Sequence, residues 1–218
     1  MLDNTFYVKT DNFAYLLEIL QELSRTVATK EAPPDDIFIR ERDIAGQIPD
    51  LLYGYKNEGD WYGVDHNASE PLYEWGAVLS AQLNTQFIQI RNIHELKPSF
   101  LGTEDIDCYY FLYYERGVKQ REIKVRSDQS GPLLDEGKKF DFEAPFIHVP
   151  GGLIEEDELG DIYNLNIYEF FSADSLIEYC MEFGIDPEYA DDTEYFVLRK
   201  STDLDWPQIW NREIPGMP

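Results

Sequence analysis

At 218 residues the chain can bury one sizeable core, and it could hold two small domains only if a linker divided it; none is evident. Hydrophobic residues make up 43% and aromatic residues 15%, which excludes a disordered chain even though 43 Asp plus Glu stand against 18 Lys plus Arg, a formal net charge of -25. Such a field repels nucleic acid and anionic membranes and attracts basic partners, so the first two are excluded as targets.

Thr5 to Lys9 reads as a short strand. A helix follows, capped by Asp11 or Asn12, with Phe13, Leu16, Leu17, Leu20, Leu23 and Val27 on one apolar stripe. Lys30 to Asp36 ends it, because Pro33 and Pro34 cannot continue the backbone ladder. Ile37-Phe38-Ile39 reads as a short strand. Asp43 to Asn67 is rich in Gly, Pro and aromatic residues and reads as a long loop, of a kind that is usually functional. Tyr53, Tyr55, Trp61 and Tyr62 beside Asp60 and Asp65 make it a candidate binding loop, since interface hot spots use aromatic anchors. The other reading is that these rings fill the core.

A second helix is expected from Ser69 or Glu70, with Pro71 in its first turn, a buried stripe of Leu72, Trp75, Gly76, Leu79 and Leu83, and an end at Asn84. Gln86 to Arg91 reads as a strand, and Asn92 to Asp105, with Pro98 and Gly102, as a loop. The centre of the chain is the hairpin from Asp107 to Arg126. Its first arm sets Cys108, Tyr110, Leu112 and Tyr114 against Tyr109, Phe111 and Tyr113, so both faces are apolar or aromatic and the strand must be covered twice. Glu115-Arg116-Gly117-Val118 supplies the turn. The second arm alternates Ile123 and Val125 with Gln120, Glu122 and Lys124, as a strand wet on one face would.

Ser127 to Glu136 reads as a turn-rich connection, Phe140 to Val149 as an extended piece, and Tyr163 to Phe171 as a further strand. Ser172 caps a third helix that turns Leu176, Ile177, Cys180 and Phe183 inward and stops at Gly184-Ile185. Glu194 to Arg199 is a last strand. Residues 201–218 form an irregular tail whose Trp206, Ile209 and Trp210 dock on the body. The whole reads as a single α+β domain over 1–218, a mostly antiparallel sheet with a central aromatic hairpin and about three helices packed on it.

The sharpest feature is a gap in the cations. From Phe140 to Leu198, 59 residues, there is no Lys or Arg, while Asp and Glu occur sixteen times. Glu155, Glu156, Asp157, Glu158 and Asp161 form one cluster, and Asp186, Glu188, Asp191, Asp192 and Glu194 another. Arg116, Lys119, Arg121, Lys124 and Arg126 bunch on the hairpin, so an electrically polar molecule is expected. The functional reading is a docking surface for a basic protein, and the plain one is a solvated acidic face.

Motifs for chemistry are lacking. No calcium-loop pattern occurs, and EEDELGD places its Gly wrongly for one. His66, His94 and His148 are far apart, with no HExxH and no paired Cys, so no metal and no cofactor are expected. There is no G-x-S-x-G elbow and no phosphate cradle at Gly151-Gly152, so no catalytic residue is named. The N-terminal MLDNTFYVKT lacks the basic start and apolar run of a signal peptide, and no apolar run approaches the ~18 residues of a membrane span. A cytoplasmic protein with Cys108 and Cys180 as reduced thiols is expected; a single disulfide between them is the other reading.

EWGAVLSAQLNT (Glu74 to Thr85), the hairpin YYFLYYERGVKQREIKV, DEGKKFDFE and the closing SADSLIEYCMEFGID together resemble uncharacterised bacterial proteins similar to the acidic immunity proteins of polymorphic toxin systems. The resemblance covers about Glu70 to Asp186 and carries no residue roles. It implies a toxin-neutralising binding protein without enzymatic activity. The expected function is therefore an acidic intracellular protein-binding module, an immunity-type inhibitor that masks a basic toxin or enzyme. Its contact residues would be Glu155, Glu156, Asp157, Glu158, Asp161, Asp186, Glu188, Tyr189, Asp191 and Asp192, with Asp60, Trp61 and Tyr62 beside them. An acid-rich hydrolase with a carboxylate pair and a salt-adapted scaffold are the alternatives.

Overall fold

The structure, a computed structural model, describes residues 4–29, 48–99, 102–129, 131–143, 171–189 and 191–200. Alternating apolar residues build nine strands within them: β1 (Asn4–Lys9), β2 (Thr26–Thr29), β3 (Leu51–Lys56), β4 (Trp61–His66), β5 (Gln86–Ser99), β6 (Gly102–Glu115), β7 (Val118–Arg126), β8 (Pro132–Gly137) and β9 (Asp191–Lys200). They lie in one sheet in the order β2-β9-β3-β4-β1-β5-β6-β7-β8, with antiparallel neighbours throughout. Three helices pack on it: α1 (Phe13–Ser24), α2 (Tyr73–Gln82) and α3 (Ala173–Glu182). The fold is the expected α+β arrangement on a mostly antiparallel sheet. None of the helices in the described residues is long and apolar enough to cross a membrane.

The aromatic strand β6 separates two cores. Tyr110, Leu112 and Tyr114 join Phe6, Phe87, Leu16 and Leu20 of α1 and Trp75 and Leu79 of α2 on one face. Phe111 and Tyr113 join Tyr7, Trp61, Ile88, Ile123 and Leu176 and Cys180 of α3 on the other. Each large apolar side chain taken out of water contributes about 1.5–3 kcal/mol, and residues of alternate parity supply both layers. Arg116 and Gly117 turn the hairpin with φ of 50° and 84°, the positive pair that matches the twist of the flanking strands. Cys108 and Cys180 are both buried thiols. Cys108 has the parity of Tyr110 and Cys180 packs on the opposite face, so the sheet lies between them.

The helix ends follow local chemistry. Asn12 caps α1 through its Oδ1, which accepts from the Tyr15 amide at 3.1 Å, worth about 1 kcal/mol. That helix stops at Ser24, earlier than its stripe suggests: Arg25 is left-handed at φ 54°, and Val27 belongs to β2, where β-branched Thr26, Val27 and Thr29 favour extended backbone. In the second helix the regular turns begin at Tyr73, and Asn84 (φ 50°) closes the segment. Ser172 precedes α3, its amide donating to Ser175 Oγ at 3.2 Å, and Gly184 (φ 75°) ends it with Ile185 buried beyond.

Several loops expected from the sequence are strands. Within Asp43 to Asn67, LLYGYK and WYGVDH form the β3–β4 hairpin around Asn57-Glu58-Gly59-Asp60, where Gly59 takes φ 59°. Asn92 to Asp105 is not a loop: β5 and β6 pair without interruption from Gln86 and Glu115 to Ser99 and Gly102. Part of Ser127 to Glu136 is the edge strand β8. Phe140 to Glu143, expected to be extended, ends in a 3-10 turn at Asp141–Glu143. The last strand starts at Asp191, ahead of Glu194. The expected strand at Ile37–Ile39, residues 163–170 of the strand expected over Tyr163 to Phe171, the proline pair, the remainder of Phe140 to Val149 and the 201–218 tail lie outside the described residues, and Phe171 itself is in no strand.

Strand β7 is not wet on one face. Glu122 is 1% exposed, and its Oε1 accepts from Tyr73 Oη at 2.6 Å and Tyr110 Oη at 2.7 Å, while Lys119 Nζ reaches its Oε2 at 2.5 Å. On the other face Arg121 is fully buried, forked onto Glu143 by two bonds of 2.8 Å and donating to Glu136 O at 2.8 Å. Three of the five hairpin cations, Lys119, Arg121 and Arg126, are therefore tied up by carboxylates instead of forming a free basic pole. Arg121 is internal, Lys119 also holds Glu136, and Arg126 pairs with Asp128.

Two expectations follow. Gly137 has φ 92°, and a Cβ there would sit 2.0 Å from Gln120 O, so Gly137→Ala should lower stability in urea melts by about 2 kcal/mol or more. Burial alone raises the Glu122 carboxyl, but the Lys119 ammonium and the Tyr73 and Tyr110 hydroxyls outweigh it and hold it below the ordinary carboxylate range. A carboxylate depressed in the folded state contributes stability above its unfolded value and loses it as pH falls through the folded one. Glu122→Gln should accordingly cost about 2 kcal/mol at pH 7, and the gap between variant and wild type should narrow once pH drops below about 4.3.

Candidate partner-binding surface

One buried amide assembles the acidic end of the sheet. Asn57, at the start of the β3–β4 turn, is 2% exposed. Its Nδ2 donates to Asp186 O at 2.7 Å and Tyr189 O at 2.8 Å, and its Oδ1 accepts from the Asp186 amide at 3.2 Å and the Glu58 amide at 2.8 Å. Both ends of the side chain are satisfied, so the turn and the segment after α3 are fixed to each other across 129 positions of sequence. Trp61 adds a second tie, its indole Nε1 donating to Phe183 O at 3.1 Å.

The consequence is electrostatic. Glu58 and Asp60 of the turn are exposed, as are Glu188 and Tyr189, the last at 43%. Asp186 is half-buried, and its Oδ1 accepts from the Glu188 amide at 3.0 Å. Strand β9 enters alongside with Asp191 in register with Lys56, and Glu194, three residues on, is exposed. Burial pushes the Tyr62 phenol up, and the Glu194 and Asp60 carboxylates push it further, which puts both of those charges close to one ring. Two lysines border the surface and lie over rings: Lys56 Nζ is 4.3 Å from the centre of Tyr62, and Lys9 Nζ is 5.7 Å from that of Trp61.

Among the sequence candidates, Asp60, Asp186, Glu188 and Tyr189 are brought together here, and the backbones of Asp191 and Asp192 enter β9 beside them. Trp61 and Tyr62 are core residues rather than exposed anchors. Trp61 is 2% exposed, and Tyr62, at 9%, stacks on Phe13 at 5.1 Å. In sequence an aromatic pair beside charges looks the same whether the rings face a partner or the core. Glu155, Glu156, Asp157, Glu158 and Asp161 lie outside the described residues. Sequence reasoning passed over Asn57 and Glu58, although N-E-G-D between two alternating apolar runs is a turn signal.

Two buried carboxylates and the buried histidine outside this surface are bonded within the fold. The carboxylates of Glu122 and Glu143 are buried, held by Lys119 and two phenols and by Arg121 respectively. His66 is fully buried, and burial together with Arg91 keeps its imidazole neutral. His94 pairs with Asp107, and His148 lies outside the described residues. Among the described residues no group of three or more His, Cys, Asp or Glu is placed to hold a metal ion. No protein-family model, curated protein or solved structure matches the chain.

If Asn57 fixes this surface, Asn57→Ala should cost about 1–3 kcal/mol and speed amide hydrogen exchange at Asp186 and its neighbours more than at β6. Exchange that rises equally in both places would place the loss in global stability alone.

Proposed function

We propose that the chain is an acidic intracellular binding module of the immunity type, which masks a basic toxin or enzyme with the surface built on Asp60, Asp186, Glu188, Asp191 and Asp192. The acid-rich run from Glu155 to Asp161 is proposed to contact the same partner. Tyr189 supplies the contact ring, since it is the exposed aromatic side chain beside the Asn57 junction. The observation that carries the reading is that junction. A buried, fully bonded amide holds acids from two distant segments in one place, which a merely solvated face does not require.

The resemblance of the α2, hairpin and α3 segments to acidic immunity proteins supports the choice of a toxin as partner. A carboxylate-pair hydrolase is less well supported, because Glu122 and Glu143 are already occupied by cations and phenols. Two buried thiols suit a reducing compartment such as the cytoplasm. Complementary charge acts mainly on encounter, raising the association rate and selecting the partner.

The partner is sought as the product of a neighbouring gene that this chain inhibits. Reversing Asp191 and Asp192 to Lys should slow association with it about tenfold at low salt, with the difference shrinking as salt rises. A rate unchanged at low salt rejects this surface as the docking site.

A further inference from the structure

Strand β6 outruns its neighbour β7. Among the described residues β1 pairs with β5 as far as Asn4 with Arg91, and β7 pairs with β6 from Arg126 with Cys108. Past these points residues 95–99 and 102–106 pair only with each other among the described residues, a two-stranded ribbon roughly 17 Å long at ~3.4 Å per residue. Two-stranded ribbons are marginal in water without a third strand or a covering face. This one projects from the end of β1 opposite to the β3–β4 turn, because Asn4 pairs with Arg91 while Lys9 pairs with Trp61.

The two edges of the ribbon differ, and backbone parity shows how. The Asp107 amide donates to Ser127 Oγ at 3.0 Å, and its carbonyl accepts from the Ser127 amide at 2.9 Å, so both groups face the β7 side. Thr103 and Asp105, two and four residues earlier in a strand without a register shift, present their amides and carbonyls on that same side, beyond the point where β7 ends. Pro98 is in register with Thr103, so its nitrogen faces the outer edge of β5. Proline has no hydrogen to donate there, and that edge is closed to a continuous ladder.

We infer that the outer edge of β6 at Thr103 and Asp105 is a second docking site, which takes an extended, Lys- or Arg-rich segment of a partner protein as an added strand. Charge decides the occupant. The free end of β6 carries Glu104 and Asp105 and no Lys or Arg, and each chain has a formal net charge of -25, so a second copy is repelled while a basic strand is drawn in. Main-chain bonds hold the incoming strand, and the ribbon gains a third strand beyond the two that the described residues give it. This site is independent of the surface at the β3–β4 turn.

The test uses the full chain at low salt with a ten-residue peptide alternating Lys and Val, and a copy of that peptide N-methylated at every amide. The peptide should slow hydrogen exchange at the amides of Thr103 and Asp105, and the N-methylated copy should not bind. Thr103→Pro, which removes an outward-facing N–H as Pro98 does on the other edge, should weaken binding at least tenfold. Absence of peptide binding, or binding that both N-methylation and Thr103→Pro leave unchanged, overturns the inference. Loss of binding on reversal of Asp191 and Asp192, with Thr103→Pro still binding fully, puts the peptide at the other end of the sheet; that overturns the ribbon site while supporting the turn surface.

Discussion

Strand β6 has aromatic side chains on both faces, and no arrangement with one wet side can satisfy it. A sheet strand of this kind needs a layer above and a layer below. The chain supplies α2 on one side, where Trp75 and Leu79 join Tyr110, Leu112 and Tyr114, and α3 on the other, where Leu176 and Cys180 join Phe111 and Tyr113. Gly76 sets how near α2 can come: a Cβ at that position would lie 2.7 Å from the ring of Tyr114. The helix can settle onto the strand because nothing stands between them.

Covering β6 twice also buries its neighbour. Strand β7 lies under the same layers, so its polar residues are carried inside whether or not they suit the interior. A buried charge is tolerable only with a partner of good geometry. Glu122 meets two phenols and an ammonium on one face, and Arg121 meets the Glu143 carboxylate through both arms of its fork on the other. Burial alone would lower the Arg121 guanidinium, and the Glu143 and Asp135 carboxylates more than reverse that. These contacts tie β7 to α2, β8 and the Asp141–Glu143 turn, so an apolar constraint on one strand ends by specifying a set of polar bonds around it.

What could be read from the sequence is what local chemistry decides. The α1 stripe from Phe13 to Leu23, the Arg116-Gly117 turn and the Gly184 stop each depend on a few adjacent residues and occur as expected, while Val27 falls beyond the helix in β2. The β3–β4 hairpin, the ribbon and β8 were hidden because their strands carry Gly, Pro and charged residues. Those residues are poor strand formers alone and are accepted only where pairing partners exist. Glu122 was misread for a related reason: alternation marks a strand, but whether its polar side faces water depends on Tyr73, far away in sequence. At the acidic surface the charges of Asp186 and Glu188 were legible as composition. The role of Asn57 was not, because a single amide has no pattern until the segment it bonds has been placed beside it.

The electrostatic organisation follows from the same distribution. Toward β7 and β8, cations and acids meet in short pairs: Lys119 with Glu122 and Glu136, Arg121 with Asp135 and Glu143, Arg126 with Asp128. At the β3–β4 end Lys9 and Lys56 lie over the Trp61 and Tyr62 rings, while Asp60, Glu188 and Glu194 face solvent. Exposed carboxylates cost far less to pair with an incoming cation than Glu122 would cost to uncover, since the buried group would have to give up every bond that offsets its desolvation. Under the proposed function a basic partner gains most at the end of the sheet where Asp60, Glu188 and Glu194 are exposed. Asn57 provides a backbone tether there: it grips Asp186 and Tyr189 by their main-chain groups, the Asp186 carboxylate turns back to the Glu188 amide, and the Glu188 and Tyr189 side chains stay exposed.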